Sequence, residues 1–284
     1  MICELCPRNC GAERTEARAG GVCRQPALPV AAKAMLHQWE EPCLVGEHGA
    51  GTVFFSGCNL RCCFCQNGAI SQGNVGKTIT AERLRAIFRE LIDRGAACLD
   101  LVTPTHFTPV ILEALGEEPW PVPVVWNCGG YEKVETIRSL EGLVDIYLPD
   151  LKYADNRLAA ALSGCGDYFQ VAAAAIKEMV SQVGPVQWKG DKVTKGVIIR
   201  HLILPGFVDN SLKVLDWIGE TFTPGEVLVS LMRQYTPMPG LPAPLDRPIT
   251  EEEYDSVLSW MFLNDLEGFT QEDTASDTAY IPDF

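Results

Sequence analysis

The sequence predicts an α/β protein in which parallel strands are joined by helices and preceded by a cysteine-rich cap. Three observations predict it. Six short apolar runs of strand character alternate with segments of helical period. Those runs are continuously apolar, as strands are when helices cover both faces of a parallel sheet. Ahead of them, residues 1–33 are rich in Gly and Cys and lack periodicity, so they read as a loop-built cap that needs a metal to hold it. Regular βα alternation implies right-handed crossovers. An open doubly wound sheet and a barrel both satisfy the pattern.

The elements follow in order. TVFFSG (52–57) is the first strand, and TAERLRAIFRELIDRG (80–95) is a helix capped by Thr80 and stopped by Gly95. Arg83 stands where a capping box would prefer Glu. CLDLVT (98–103) is a strand and FTPVILEALG (107–116) a short helix. VPVVWN (122–127) and VDIYLPDL (144–151) are strands flanking the helix YEKVETIRSLEG (131–142). The long helix DYFQVAAAAIKEMVSQVG (167–184) leads to the strand GVIIRHLILPG (196–206). NSLKVLDWIGETF (210–222) is a helix and EVLVSLMRQY (226–235) the sixth strand. PMPGLPAPLDRP (237–248) is a surface loop before the last helix (250–268), where Thr250 and Glu253 form a capping box. The division is therefore a cap (1–33), a βα-repeat body (34–268) and a tail (269–284). The tail is either a disordered acidic end or, through Tyr280, Ile281 and Phe284, docked on the body.

The chain has 284 residues, 47% of them hydrophobic, with 23 basic and 37 acidic residues and a net charge of -14. Such a balance argues against a nucleic-acid partner, which needs clustered Lys and Arg. No apolar run reaches the roughly 18 residues of a membrane span, and MICELCPRNC lacks the apolar stretch of a signal peptide. Twelve cysteines without a secretion signal point to the cytoplasm, where clustered Cys means metal or redox chemistry more often than disulfides. Cys43, Cys98, Cys128 and Cys165 are scattered and read as small buried hydrophobes.

SGCNLRCCFCQN (56–67) places four cysteines within eight positions, directly after the first strand. Sites of parallel α/β folds sit at the carboxyl ends of strands. Cys58, Cys62 and Cys65 are spaced so that one loop can fold three thiolates around one centre. Structural zinc needs four closed ligands, and neither His48 nor His106 has a paired spacing. Three thiolates on a cubane cluster leave one iron open. Cys63 lies between ligands as a spectator. Asn59, Arg61, Gln66 and Asn67 are either donors to cluster sulfurs or ordinary loop residues. In the cap, Cys3, Cys6, Cys10 and Cys23 supply four more thiols, which either close a zinc site or carry an auxiliary [4Fe–4S] cluster, with Arg8 and Arg14 offsetting their charge.

C-x3-C-x-aromatic-C, with Phe64 as the aromatic, on the loop after the first strand of a βα-repeat chain resembles the radical S-adenosylmethionine (radical SAM) superfamily. The resemblance implies a partial (β/α)6 barrel in which Cys58, Cys62 and Cys65 hold a [4Fe–4S] cluster. SAM's amino and carboxylate groups chelate the fourth iron, and reduction cleaves SAM to methionine and a 5′-deoxyadenosyl radical that abstracts a hydrogen atom. The family's Gly-Gly-Glu motif after the second strand is missing; VTPTH stands there, leaving the hydroxyls of Thr103 and Thr105 as candidates to receive SAM. GGYE (129–132) follows the third strand and reads as an ordinary turn. Asp150 and Lys152, at the end of the fourth strand, resemble the Asp-x-Lys of glycyl-radical-enzyme activases, and their spacing points both to one side of a strand. Arg200 and His201 interrupt the fifth strand and need partners: one faces SAM and the other the helices, or His201 is a satisfied core histidine. Asn127 and Gln234 are weaker candidates.

Over CELCPRNCG, FFSGCNLRCCFCQN, LVTPTHF, DIYLPDLKY, RHLILPG and YIPDF the chain resembles uncharacterised homologues of pyruvate formate-lyase activating enzyme. That implies a glycyl-radical enzyme or another protein as substrate, and an electron donor such as flavodoxin or ferredoxin. The ferredoxin-like insertion that some activases carry after the cluster cysteines is absent. Two alternatives stand beside this reading: a radical SAM enzyme acting on a small molecule or peptide, and a non-catalytic zinc-binding interaction protein in which Asp150 and Lys152 have no role.

Overall fold

The structure, a computed structural model, describes residues 2–73, 75–116 and 119–271. After the cap come β1 (Val30–His37), α1 (Pro42–Val45), β2 (Ala50–Phe55), α2 (Gly68–Ser71), β3 (Lys77–Thr78) and α3 (Ala81–Asp93). Then follow β4 (Leu99–Val102), a 3-10 turn (Thr105–Phe107), α4 (Thr108–Leu115), β5 (Val124–Cys128), α5 (Val134–Arg138) and β6 (Ile146–Pro149). The last part holds α6 (Asn156–Ser163), α7 (Tyr168–Val183), β7 (Gln187–Lys189), β8 (Lys192–Leu202), α8 (Val208–Thr221), β9 (Val227–Met232), α9 (Glu251–Leu263) and β10 (Gly268–Thr270).

The six anticipated strands, β2, β4, β5, β6, β8 and β9, are mutually parallel neighbours. The sheet runs β10-β9-β8-β6-β5-β4-β2-β1-β3, with β7 antiparallel on β8, and it does not close on itself. β1 pairs antiparallel with β2 and spans the 33/34 boundary between cap and body that the sequence suggests. The last helix ends at Leu263 rather than 268, and Gly268–Thr270 instead pairs parallel with β9. A Cβ on Gly268 would stand 1.8 Å from the Val229 carbonyl oxygen, so only glycine lets β10 press against β9. Tyr280, Ile281 and Phe284 lie outside the described residues.

The caps match the sequence. Thr80 Oγ1 accepts the Arg83 N–H at 3.3 Å, and α3 buries Leu84, Ile87, Phe88 and Leu91 along one stripe. Thr250 and Glu253 close a reciprocal capping box. The helix anticipated over 131–142 contracts to Val134–Arg138, because residues 129–132 form a tight turn instead.

Alternation along the strands separates two cores. Val53, Phe55, Leu99, Leu101, Trp126, Tyr147, Ile199 and Val229 face the helices. Ala50, Cys98, Val125, Ile146, Leu148, Ile198 and Leu228 share a second cluster on the concave face, although several come from strands that are not neighbours. The twisted sheet therefore curls around them. One step along the same inward face lie Thr52, Asp100, Asn127, Arg200 and Ser230, all from the positions two residues on. The short helix α1 inserts Cys43 and Leu44 into the concave cluster and plugs its amino end. Cys98 Sγ donates to the Leu44 carbonyl at 3.5 Å.

Leu44 is 2% exposed, so Leu44→Ala is expected to lower stability by about 2–5 kcal/mol, read as a lower midpoint in urea unfolding. Leu263→Ala, at a side chain 74% exposed, is expected to stay within about 0.5 kcal/mol. Equal effects at the two positions would mean that α1 does not plug the sheet.

Candidate functional site

The cysteine loop leaves β2 at the carboxyl end of the parallel strands. Ser56 N–H bonds to the Val30 carbonyl at 2.9 Å, and Gly57 turns the chain with φ of 80°. A Cβ on Gly57 would lie 2.4 Å from Gln25 Cγ, so the turn presses against the cap. Asn59 is buried, and its amide donates to the Tyr131 carbonyl at 2.6 Å. Gln66 Nε2 donates to the Gln234 carbonyl at 2.5 Å, tying the loop to the end of β9. Leu60, Cys62 and Phe64 are buried, and Phe64 tilts against Tyr235. Cys63 is exposed, with its N–H on the Leu162 carbonyl at 2.9 Å.

Each of the three spaced cysteines meets a hydrogen-bonding group. The Leu60 N–H donates to Cys58 Sγ at 3.3 Å. The Ser163 hydroxyl donates to Cys62 Sγ at 2.9 Å. Cys65 Sγ lies 3.2 Å from Ser71 Oγ. Burial pushes the Cys58 thiol well above the usual range, and its neighbours Cys62 and Cys65 push it further. Burial likewise raises Cys62, which reaches about 11 although Lys152 pulls it down. Three neighbouring thiols, Cys62 buried and Cys58 and Cys65 half-buried, that repel one another as thiolates and each meet a hydrogen-bonding group, fit a cationic iron–sulfur centre as ligand.

Beside them lies a charged constellation. Lys152 Nζ bonds Asp150 Oδ2 at 2.5 Å. Arg200 Nε bonds Asp150 Oδ1 at 3.0 Å, its Nη2 bonds Asn127 Oδ1 at 2.6 Å, and its Nη1 reaches Glu40 Oε1 at 3.4 Å. Asn127 Nδ2 donates to Glu40 Oε2 at 3.0 Å. Burial alone would raise Asp150, but Arg200 and Lys152 outweigh it and hold the carboxylate below its ordinary range. Burial works against the Lys152 charge too, and Asp150 and the nearby Cys62 overcome it. The structure thus brings a fixed cation to the cluster loop. Deeper in, burial and Glu40 push the Asp100 carboxyl well above its ordinary range.

Not every sequence candidate joins this group. His201 is turned to the helical layer: Nδ1 meets the Leu151 carbonyl at 2.7 Å and Nε2 meets Ser211 Oγ at 2.9 Å, so of the alternatives left open it is the satisfied core histidine and not a contact of SAM. The next residue along a strand faces the opposite side, so Arg200 and His201 separate. The Thr105 hydroxyl donates to Glu132 at 2.7 Å and is engaged there. Thr103 sits at the strand end with φ of 60° and remains half-buried. Sequence reasoning missed Glu132, a carboxyl 1% exposed that burial raises to about 8. Its signal was the Gly-Gly turn before it: a Cβ on Gly130 would lie 2.0 Å from the Asp150 carbonyl oxygen. Glu40, Ser71 and Ser163 were also missed, and nothing in their local sequence marks them.

The cap brings its own cysteines alongside. Cys3 and Cys6 are buried, Cys23 half-buried and Cys10 exposed. Burial raises Cys6 to about 12, and Glu132, Cys23 and Cys3 add to it. Arg14, 1% exposed, donates to Cys3 Sγ at 3.2 Å and to the carbonyls of Gln25 at 3.0 Å and His106 at 2.8 Å. Arg8 Nε donates to the Asn59 carbonyl at 2.7 Å and Nη2 to the Ser163 carbonyl at 3.0 Å. No three His, Cys, Asp or Glu among the described residues converge closely enough to clasp a single metal ion. No helix among them is long and apolar enough to cross a membrane.

Comparison with known proteins places this geometry. Residues 45–136 match the model of a 4Fe-4S single cluster domain. An uncharacterised protein of Methanocaldococcus jannaschii is 32% identical over 245 residues, 83% of this chain and 66% of the relative. Pyruvate formate-lyase-activating enzyme of Clostridium pasteurianum is 28% identical over 188 residues, 62% of this chain and 71% of that enzyme. The chain therefore spans about two thirds of the length of these relatives. A radical SAM methyltransferase from Sphaerobacter thermophilus shares the fold, with a TM-score of 0.53 at 16% identity, over 78% of this chain and 66% of the other.

The concave face also carries a titrating acid. Burial and then Glu40 raise Glu41 from 4.5 to about 7, so the folded chain holds a proton that the unfolded chain releases. Its contribution is complete below about pH 4.5 and is lost as pH rises through about 7. Glu41→Gln is expected to remove on the order of 2–3 kcal/mol of stability loss between pH 5 and pH 8. Urea midpoints at the two pH values check this; an unchanged pH slope would show that Glu41 is ionised throughout.

Proposed function

We propose that the chain is a radical SAM enzyme, which cleaves S-adenosylmethionine reductively at a [4Fe–4S] cluster and uses the product to abstract a hydrogen atom from a substrate. The observation that carries this reading is the meeting of two groups at one end of the sheet. Cys58, Cys62 and Cys65 crowd on the loop after β2, and Lys152, clamped by Asp150 and Arg200, stands beside Cys62. Bound there, the cluster supplies the electron that splits SAM into methionine and a 5′-deoxyadenosyl radical.

The chain's own residues bind and orient. Cys58, Cys62 and Cys65 are the protein ligands, which leaves one iron for SAM. The Lys152 ammonium receives the SAM carboxylate and the Asp150 carboxylate its amino group, in charge-assisted contacts. Arg200 holds Asp150, and Asn127 in turn accepts from Arg200. Phe64, packed on Tyr235, shields the loop from water. Thr103 remains a rim contact.

Glycyl-radical-enzyme activation is the finer reading, supported by the clostridial relative and by the Asp-x-Lys at the end of β6; an external carrier such as flavodoxin or ferredoxin supplies the electron. The four cap cysteines hold a second metal centre. The Arg14 donation to Cys3 Sγ supports it, as do the repulsions of Cys6 with Cys3 and Cys23 and of Cys23 with Cys3 and Cys10. Residues 1–33 are then a metal-held cap on a body of residues 34–268.

The test is anaerobic reconstitution with iron and sulfide, followed by dithionite and SAM. The parent is expected to form 5′-deoxyadenosine and Cys58→Ala none. Lys152→Ala is expected to raise the half-saturating SAM concentration about tenfold, the loss of one charge-assisted contact. A chain that retains zinc and takes up no iron would sink the reading.

A further inference from the structure

We propose that Ser163 and Ser71 set the reduction potential of the cluster, with Tyr153 acting through Ser163. The proposal rests on the reading of Cys62 and Cys65 as cluster ligands. Ser163 ends α6 and is completely buried. Its hydroxyl donates to Cys62 Sγ at 2.9 Å, and its Oγ lies 2.6 Å from the Tyr153 hydroxyl. With the serine proton directed at sulfur, Tyr153 O–H must be the donor in the second bond. The two form a chain, Tyr153 to Ser163 to Cys62, in which each donor polarises the next. Tyr153 is itself fully buried and meets Tyr168 edge-on at 5.2 Å, so its hydroxyl cannot swing to water.

The serine is held in place rather than left to fit. Arg8 of the cap donates to its carbonyl at 3.0 Å, and Cys165 Sγ donates to the same oxygen at 3.3 Å. Gly164 then takes the left-handed conformation, φ 65°, that ends the helix there. On the other side of the loop, Ser71 ends α2 with its Oγ 3.2 Å from Cys65 Sγ. A hydroxyl in a buried site is costly without a partner, and for Ser163 the partners are the tyrosine and the cysteine.

Hydrogen bonds to ligand sulfurs tune an iron–sulfur potential. The reduced cluster carries one more negative charge, part of it on the sulfurs, so a donor there favours reduction and makes the potential less negative. One electron enters from the reductant, and the serine and tyrosine protons stay on their oxygens. Ser163, Ser71 and Tyr153 are thus positioning residues: the two serines touch the ligand sulfurs and Tyr153 acts through Ser163.

The experiment uses the full chain, reconstituted anaerobically, with iron counted first and the reduced-cluster signal then followed by electron paramagnetic resonance in a potential titration. Ser163→Ala is expected to keep the parent's iron content and shift the reduction equilibrium about tenfold toward the oxidised form, which is about 59 mV for one electron. Ser71→Ala shifts in the same direction. Tyr153→Phe keeps the ring and the serine, so it shifts in the same direction by less; if Ser163→Ala fails to assemble, Tyr153→Phe decides. Unchanged potentials at full iron content in these variants would overturn the proposal. A parent that binds no iron would overturn the ligand reading itself, and the iron count separates that outcome from the first.

Discussion

Arg200 is the charge on which the concave side of the sheet depends. It sits in β8, yet its guanidinium reaches Asp150 beyond β6, Asn127 in β5 and Glu40 after β1. A buried guanidinium needs partners, and its removal would leave Glu40 without its cation and Asp150 with Lys152 alone; breaking a buried pair costs about 3–5 kcal/mol. Three consequences follow from the one side chain. It bridges strands whose own pairing is short, since β6 and β8 match at only Ile146–Gly196 and Tyr147–Val197 before the isolated Asp150–Arg200 bridge. It draws Glu40, and with it α1, under the amino end of the sheet. It also keeps Asp150 ionised, and Asp150 in turn fixes Lys152 beside the cysteine loop.

The cap is bound by the same logic of cations seeking oxygen. The chain carries a net charge of -14, but the positive side chains at the centre of the molecule are few and fully engaged. Arg14 gathers carbonyls from the cap and from the turn after β4, and lies over the Phe107 ring. Arg8 gathers carbonyls from the cysteine loop and from the end of α6, and lies over the Tyr131 ring. The cap has little apolar surface to bury, so these two guanidiniums supply the specificity of its docking. Because Arg8 grips both Asn59 and Ser163, the position of the cap and the surroundings of Cys58 and Cys62 are mechanically one arrangement.

The parallel strands were legible because each is an uninterrupted apolar run and each is followed by a helix with its own period. The caps at Thr80 and Thr250 were legible because capping is local chemistry. β1 and β10 were not. β1, VAAKAMLH, is partly solvated along its length and shows neither clean alternation nor a continuous run. β10 is only Gly268–Thr270 and exists because a glycine lets it lie against β9. In the site, Cys58, Cys62 and Cys65 were legible from spacing, and Asp150 with Lys152 from strand geometry. Ser163 and Glu40 were not, since each reaches the site from about a hundred residues away or from under the sheet. For Arg200 and His201 the sequence left open which one faces the ligand, because residues adjacent in a strand look alike in sequence, whereas the sheet sends them to opposite faces.

The division between what is buried and what is open also explains why one fold serves different substrates. The groups that would hold the cluster and SAM lie on the cysteine loop and just beyond β6, braced by inward residues of β5 and β8, in a network whose members constrain one another. The sheet itself stays unclosed between β3 and β10. A substrate entering there would meet the edge strands and the loops beyond the strand ends, including the proline-rich stretch 237–248, and not the inner network. A change at those edges leaves Arg200, Asp150 and Lys152 untouched, so the proposed hydrogen abstraction would be kept while its target changed. On the proposed reading, that is a physical reason for the chemistry to rest on the inner network and for the substrate to be left to the rim.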